Sequence, residues 1–299
     1  MKSLKTPLRY PGGKSRAIKK MAQFLPDMSK YKEYREPFLG GGSVALHMTQ
    51  TYPHLEVWVN DLYEPLVNFW QQLQDEANEI TTRLKTFKTA YPTPDRAREL
   101  FIESKELVND QKQSDITRAV SFYVVNKCSF SGLTESSSFS KQASDSNFSL
   151  RGIEKLPEYS EIIQNWVITN LTYERMSCDE KDVFTYLDPP YEIGDNLYGK
   201  RGGLHKYFDH DAFAQECDGH TSHMMISYNS SQLIKDRFTH WSPNEFDHTY
   251  TMRSVGDYMH EQGKRKELLL MNYNKPKFKP TFEGCYNYNR LKKEGLVDD

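Results

Sequence analysis

The chain has 299 residues, 37% of them hydrophobic and 27% charged, with a formal net charge of −2. That composition excludes a disordered or collagen-like chain, and the length allows one large domain or two smaller ones. The strongest apolar run, Leu268-Leu269-Leu270-Met271, is strand-sized and far short of the roughly 20 residues of a membrane span.

The opening stretch MKSLKTPLRYPGGK is basic but lacks an apolar core, so it does not read as a secretory signal. Cys128, Cys178, Cys217 and Cys285 are scattered. They form neither a zinc knuckle nor a disulfide framework, so a reducing, cytoplasmic compartment and no metal are expected. Residues 1–35 hold ten Lys or Arg against Asp27 and Glu33, and residues 264–293 hold nine against Glu267 and Glu283. These ends form one phosphate-facing surface if the fold joins them, and two solvated faces if it does not.

In chain order, Lys14 to Phe24 reads as a short helical stretch. Tyr34 to Phe38 leads into Gly40-Gly41-Gly42, and a helix follows through Ser43, Leu46 and His47. Leu55 to Val59 alternates as a strand does and ends at Asn60-Asp61. Strand, glycine-rich turn, helix, strand and acid make a nucleotide-binding βαβ unit. Leu66, Trp70, Leu73, Ala77, Ile80 and Leu84 then recur at helical spacing as a core stripe. Pro92 and Pro94 interrupt it. Further amphipathic helices are expected around Ala97–Val108 and Ile116–Val124. Residues 128–149 include nine serines between 129 and 149, and are expected to form a loop or flexible arm with little core. Strands return at Trp166–Ile168, Val183–Leu187 and Met224–Tyr228. A helix over Ser230–Phe238 and a late strand over Glu267–Tyr273 complete an α/β chain interrupted by helices.

Chemistry concentrates in three places. Asp188-Pro189-Pro190-Tyr191 directly follows a strand. Adenine's amino nitrogen is a poor nucleophile because its lone pair is delocalised into the ring. A carboxylate at Asp188 and the backbone carbonyl of Pro189 can each accept one amino hydrogen, which favours a more tetrahedral nitrogen. Proline stiffens the turn, and Tyr191 offers a face on which a base can stack. The bland alternative is an ordinary Asp-Pro turn. Second, Glu36-Pro37-Phe38-Leu39-Gly40-Gly41-Gly42-Ser43 has Asp61 about twenty residues on, the spacing of a carboxylate that accepts ribose hydroxyls. Third, Arg9-Tyr10-Pro11-Gly12-Gly13-Lys14-Ser15 ends like a phosphate loop. That loop needs another glycine where Leu8 stands, so ATP hydrolysis is rejected. A ligand clamp or a simple turn remains.

Taken together, RYPGGKS at 9–15, EPFLGGGSV at 36–44, VND at 59–61, DPPY at 188–191 and RKELLLMNY at 265–273 resemble the Dam-like, D12-class, α-ordered DNA adenine-N6 methyltransferases. The resemblance covers most of the chain. It implies a Rossmann-like seven-stranded mixed-sheet methyltransferase domain with the late strand antiparallel and a helical target-recognition insertion. Residues 1–75 and 161–299 would form the catalytic domain and 76–160 the insertion. It also implies S-adenosylmethionine as methyl donor, held by Tyr10, Lys14, Phe38, Gly40, Asp61 and Asp188. Asp188, Pro189 and Tyr191 would act on an adenine flipped out of duplex DNA. Lys127, Phe130, Ser131, Gly132 and Lys141 are the implied DNA contacts. A monomer acting on double-stranded DNA, with a cognate restriction endonuclease as possible partner, is the expected assembly.

Asn126 to Leu133 departs from the version carried by members that read GATC. Lys127, Cys128 and Ser131 stand where key features differ, so GATC specificity does not carry over. Cys128 reads as packing, because methylation at N6 needs no covalent enzyme nucleophile. His220 and His223 read as surface polar groups without a third metal partner. Two competing readings remain: a methyltransferase of RNA adenine or of a protein amide, and a silent DNA-binding subunit. Asp188, in place of the Asn typical of amide methylation, argues against an amide target. Intact chemical groups argue against a silent subunit.

Overall fold

A computed structural model describes residues 4–130, 137–192, 208–247 and 266–273. At its centre is a seven-stranded sheet of order β3-β2-β1-β4-β5-β7-β6. The strands are β1 (Glu33–Glu36), β2 (Glu56–Asn60), β3 (Trp166–Thr169), β4 (Val183–Leu187), β5 (His223–Asn229), β6 (Ser242–Asp247) and β7 (Lys266–Met271). β1 to β5 pair in parallel, and β7 runs antiparallel to both β5 and β6. The expected mixed sheet with a reversed late strand is what the chain forms.

The helices are α1 (Ile18–Met21), α2 (Ser43–Thr51), α3 (Glu64–Asp75), α4 (Ala77–Ala90), α5 (Pro94–Leu107), α6 (Asp115–Cys128), α7 (Lys141–Ser146), α8 (Leu150–Ile153), α9 (Leu156–Ile163), α10 (His210–Asp218) and α11 (Gln232–Arg237). Among the described residues two apolar cores result. One joins β1–β3 to α2, α3 and the helices up to α9, with Trp70 fully buried against Trp166. The other lies under α10 and α11 around Phe213, Tyr228 and Leu268.

Three local readings change. The stripe from Leu66 to Leu84 is two helices, because the backbone leaves helical geometry at Glu76 (φ −125°, ψ 29°). The apolar register survives the break, and Ile80 and Leu84 stay buried. The described part of the serine-rich stretch is ordered structure. Ser140 caps α7 by accepting from Ala143 N, and Ser149 caps α8 by accepting from Gly152 N. Phe148 is fully buried and Phe139 packs on Phe101. Serines here satisfy helix ends, while interspersed aromatics supply the core. Finally, α10 and β6 are elements that periodicity does not announce. β6 is a polar edge strand among the described residues, SPNEFD, where Pro243 and outward charges are tolerated because no described strand pairs with its outer side.

The glycine-rich turn is built by close approach. Gly42 sits at φ +67°, at the N-terminus of α2, and a Cβ there would lie 2.7 Å from the Trp70 ring. Gly42→Ala is therefore expected to cost about 2 kcal/mol or more, from left-handed strain plus overpacking. A shift in the denaturant midpoint measures it.

No helix among the described residues is long and apolar enough to cross a membrane.

Candidate active site

In strand order the sequence numbers reverse direction between β1 and β4, so the crevice at their carboxyl ends is where an open α/β sheet binds ligands. The tips of β1, β2 and β4 end in Glu36, Asn60-Asp61 and Asp188, and all four residues line one open cleft. Tyr10 and Lys14 enter from the N-terminal segment, Phe38 and Gly40 from the turn before α2, Tyr173 from the start of a short 3-10 helix (Tyr173–Met176), and Leu171 and Phe208 from loops. Tyr10, Lys14, Phe38, Gly40, Asp61 and Asp188, drawn from segments far apart in the chain, thus meet in one place.

Lys14 is the hub. Its ammonium lies 2.9 Å from each Asp188 oxygen, 2.9 Å from Gly12 O and 3.4 Å from Glu267 Oε1. It also sits 4.8 Å over the Tyr191 ring. Its side chain is almost entirely buried, whereas that of Asp188 is 21% exposed, so the carboxylate faces the cleft with the lysine behind it. Ser227 donates to Asp188 Oδ1 at 2.7 Å, and Tyr186 OH pairs with Ser227 at 2.8 Å. Burial holds the Asp188 carboxyl above its ordinary pKa; Lys14 pulls it down and Glu267 pushes it up. Tyr191 donates its phenolic proton to Glu267, and its ring lies 5.8 Å from that of Tyr228.

Asp61 accepts from Gly40 N at 2.9 Å and from Tyr63 N at 3.0 Å, so two backbone amides fix its orientation. Burial nonetheless raises its pKa to about 6. Phe38 stacks on Tyr173 at 5.5 Å and meets Phe208 edge-on at 5.8 Å, giving the cleft an aromatic wall. The nearest atoms to a Cβ at Gly40 or Gly41 belong to Tyr10, both at 2.9 Å. The small residues thus seat the Tyr10 ring against the turn.

Of the expected DNA-contacting residues, Ser131 and Gly132 lie outside the described residues, as does most of the basic stretch 264–293. Phe130 is 48% exposed, just beyond the Ser129–Phe139 bridge. Lys141 is exposed at the start of α7. Lys127 lies 5.2 Å over the Tyr123 ring, and burial with the nearby Arg9 charge lowers its pKa to about 8. Arg9 N donates to Asn126 Oδ1 at 3.0 Å, Asn126 Nδ2 donates to Arg9 O at 2.6 Å, and the Arg9 guanidinium donates to Ser129 O at 2.8 Å. These bonds stitch the cleft's N-terminal motif to the end of α6.

Cys128 is fully buried, and burial pushes its thiol to about 12, which suits packing and not nucleophilic attack. His220 pairs with Asp179 and Glu216, and His223 with Tyr31; neither histidine lines the cleft.

Sequence reasoning missed Glu267, Ser227, Tyr173 and Phe208. Glu267 had a visible signal, a lone acid heading an apolar strand, and so did Ser227, a hydroxyl within Met224-Met225-Ile226-Ser227-Tyr228. Tyr173 opens a single 3-10 turn and Phe208 sits in a loop, and neither has a sequence pattern to mark it.

The mixed sheet, with its cleft at the carboxyl edge and Asp188 and Pro190 of the DPPY tetrapeptide lining it, is the architecture of a Rossmann-like methyltransferase. The family profile of the D12 class N6 adenine-specific DNA methyltransferases matches residues 10–252. The chain belongs to that family and is an adenine-specific DNA methyltransferase. It is 23% identical over 282 residues to the type II methyltransferase M1.LlaDCHI of Lactococcus lactis subsp. cremoris, covering 89% of this chain and 94% of that one. It is also 23% identical over 197 residues to the type II methyltransferase M.MjaIII of Methanocaldococcus jannaschii, covering 62% and 68%. A third relative, the DNA N-6-adenine-methyltransferase of Escherichia phage P1, is 28% identical over 201 residues. That match spans 64% of this chain but 24% of the phage protein.

Proposed function

We propose that the chain transfers a methyl group from S-adenosylmethionine to N6 of an adenine turned out of duplex DNA at a specific short site. The observation that carries this reading is Asp188, held by Lys14 and Ser227 at the mouth of the cleft that Asp61, Phe38 and Gly40 line. The donor supplies a methyl group on a sulfonium, ready for in-line displacement. Its fit is supported by the chemistry of the cleft: Asp61 offers a carboxylate to ribose hydroxyls, Phe38 and Tyr173 offer flat faces, and Asp188 brings negative charge beside the cationic sulfur.

The chain's own groups do the rest. Asp188 and the carbonyl of Pro189 accept the two amino hydrogens and turn the N6 lone pair outward. Tyr191, anchored by Glu267, presents its ring to the base. Positioning and fixed charges carry most of the rate enhancement. Tyr10 and Lys14 are assigned to the methionine end of the donor. Residues 76–160 are assigned to target recognition, with 1–75 and 161–299 as the catalytic part. Lys127, Phe130, Ser131, Gly132 and Lys141 are assigned to DNA, and Phe130 is suited to contact bases. A monomer is the proposed acting form, and a restriction endonuclease of the same site a proposed partner.

The test is mapping of N6-methyladenine in plasmid DNA from a methylation-free host that expresses this chain. One short motif methylated at adenine is expected. Soluble protein with no methyladenine would overturn the reading in favour of an RNA substrate or a silent DNA-binding subunit.

Asp61 adds a pH dependence. A carboxylate accepts two ribose hydroxyls only when ionised, so donor affinity is expected to fall as pH drops through about 6. Asp61→Asn should weaken binding at neutral pH and flatten that profile, as measured by calorimetric titration. Stability runs the other way. The raised pKa makes this group's contribution full below the ordinary value of 3.8 and lost as pH rises through about 6.

A further inference from the structure

Lys14 poses an electrostatic problem for the proposed donor. It lines the cleft, and an ammonium there repels a cationic sulfonium. The structure surrounds it with carboxylates. Asp188 lies on the cleft side at 2.9 Å, and Glu267 lies behind at 3.4 Å with no exposure to solvent. With all three ionised, they sum to −1. Buried charges are screened little by salt, so this sum is felt across a short distance.

Resting on the proposed use of S-adenosylmethionine, we propose that Glu267 is a positioning residue for charge, which offsets Lys14 and makes the site prefer the cationic donor over its neutral thioether product. Glu267 reaches the cleft through others. Its carboxylate faces the Lys14 ammonium and accepts the Tyr191 hydroxyl, so a single acid on β7 orients the lysine that holds Asp188 and the ring of the same tetrapeptide. Strand β7 supplies a rigid mount. Glu267 lies in register opposite Asn229 of β5 and Phe246 of β6, and the following residues Leu268 to Leu270 are fully buried. An acid placed without exposure at the head of an apolar strand costs desolvation unless it is paired. Its pairing here is with Lys14, which holds the Asp188 carboxylate, and with Tyr191 of the same tetrapeptide. Methyl transfer converts the sulfonium to a thioether and removes one positive charge from the ligand. A site tuned by Glu267 therefore binds the donor tightly and its spent form weakly, which favours product release.

The test is calorimetric titration of the full chain with S-adenosylmethionine and, separately, with S-adenosylhomocysteine. The unaltered protein is expected to bind the sulfonium at least five times more tightly than the thioether; equal affinities would overturn the proposal without any variant. Glu267→Gln keeps the shape and a hydrogen-bond acceptor for Tyr191 but removes the charge. It is expected to lose at least fivefold in affinity for the sulfonium and less than twofold for the thioether. Glu267→Asp is expected to restore the preference. Equal losses for both ligands in Glu267→Gln would mean that the residue is only structural, and no loss would mean that its charge is unfelt. Either result overturns the proposal while leaving the donor reading intact. Failure of the unaltered protein to bind either ligand would remove the donor reading itself, and this proposal with it.

Discussion

Asp188→Ala is expected to lower methyl transfer by roughly 10³-fold or more, the scale of losing a preorganised charged partner of the reacting group. The variant should melt close to the parent. Alanine removes the carboxylate that accepts an amino hydrogen, and nothing else in the described cleft occupies that position. The groups it leaves behind still have partners. Lys14 keeps Glu267 at 3.4 Å and Gly12 O at 2.9 Å, and Ser227 keeps Tyr186 at 2.8 Å. Single-turnover transfer of a labelled methyl group to duplex DNA, alongside a melting curve, checks both halves. A variant that retains near-normal turnover would sink the assigned mechanism. One that unfolds would show Asp188 to be structural first.

Lys14→Ala presents the opposite case. It leaves two carboxylates, Asp188 and the fully buried Glu267, without the ammonium that both approach within 3.4 Å. Breaking a buried ion cluster by removing one partner costs about 3–5 kcal/mol, so this variant is expected to be markedly less stable than Asp188→Ala. One of the orphaned carboxyls should take up a proton, and the variant's stability should recover as pH falls. Donor binding is expected to weaken more than DNA binding, because Lys14 is assigned to the donor's methionine end and holds Asp188 in the cleft, while protonation of one orphaned carboxyl keeps the net charge beside the sulfonium at −1. Denaturant unfolding at two pH values, with separate donor and DNA titrations, measures this. Equal losses in donor and DNA binding would assign Lys14 to a DNA phosphate.

The two variants separate chemistry from scaffolding within a single ion pair. Glu267 explains the difference, because it makes Lys14 the shared partner of two acids and Asp188 one of two. The strength of that asymmetry depends on β7 being a central strand, flanked by β5 on one side and β6 on the other.

Much of this protein was legible in its residues. The alternating run at 55–59 and the apolar runs at 183–187 and 224–228 specify strands, because period-two and continuous burial leave few other solutions. Glycines 40–42 before α2 mark a turn that only small residues can make, since a Cβ at Gly42 would strike Trp70. The ordered motifs at 9–15, 36–44, 59–61 and 188–191 carry the family resemblance in the sequence itself. The tertiary structure alone decided three things. It showed that the serine-rich stretch carries caps and buried aromatics, a role that depends on which helix end each hydroxyl meets and not on composition. It paired β6 as an edge strand, where polar residues leave no periodic signature. And it brought Glu267 to Lys14 across 253 positions of sequence. A residue's own pattern reports whether it is buried and in what element. Which charge it faces is set by strand order, and strand order is a property of the whole sheet.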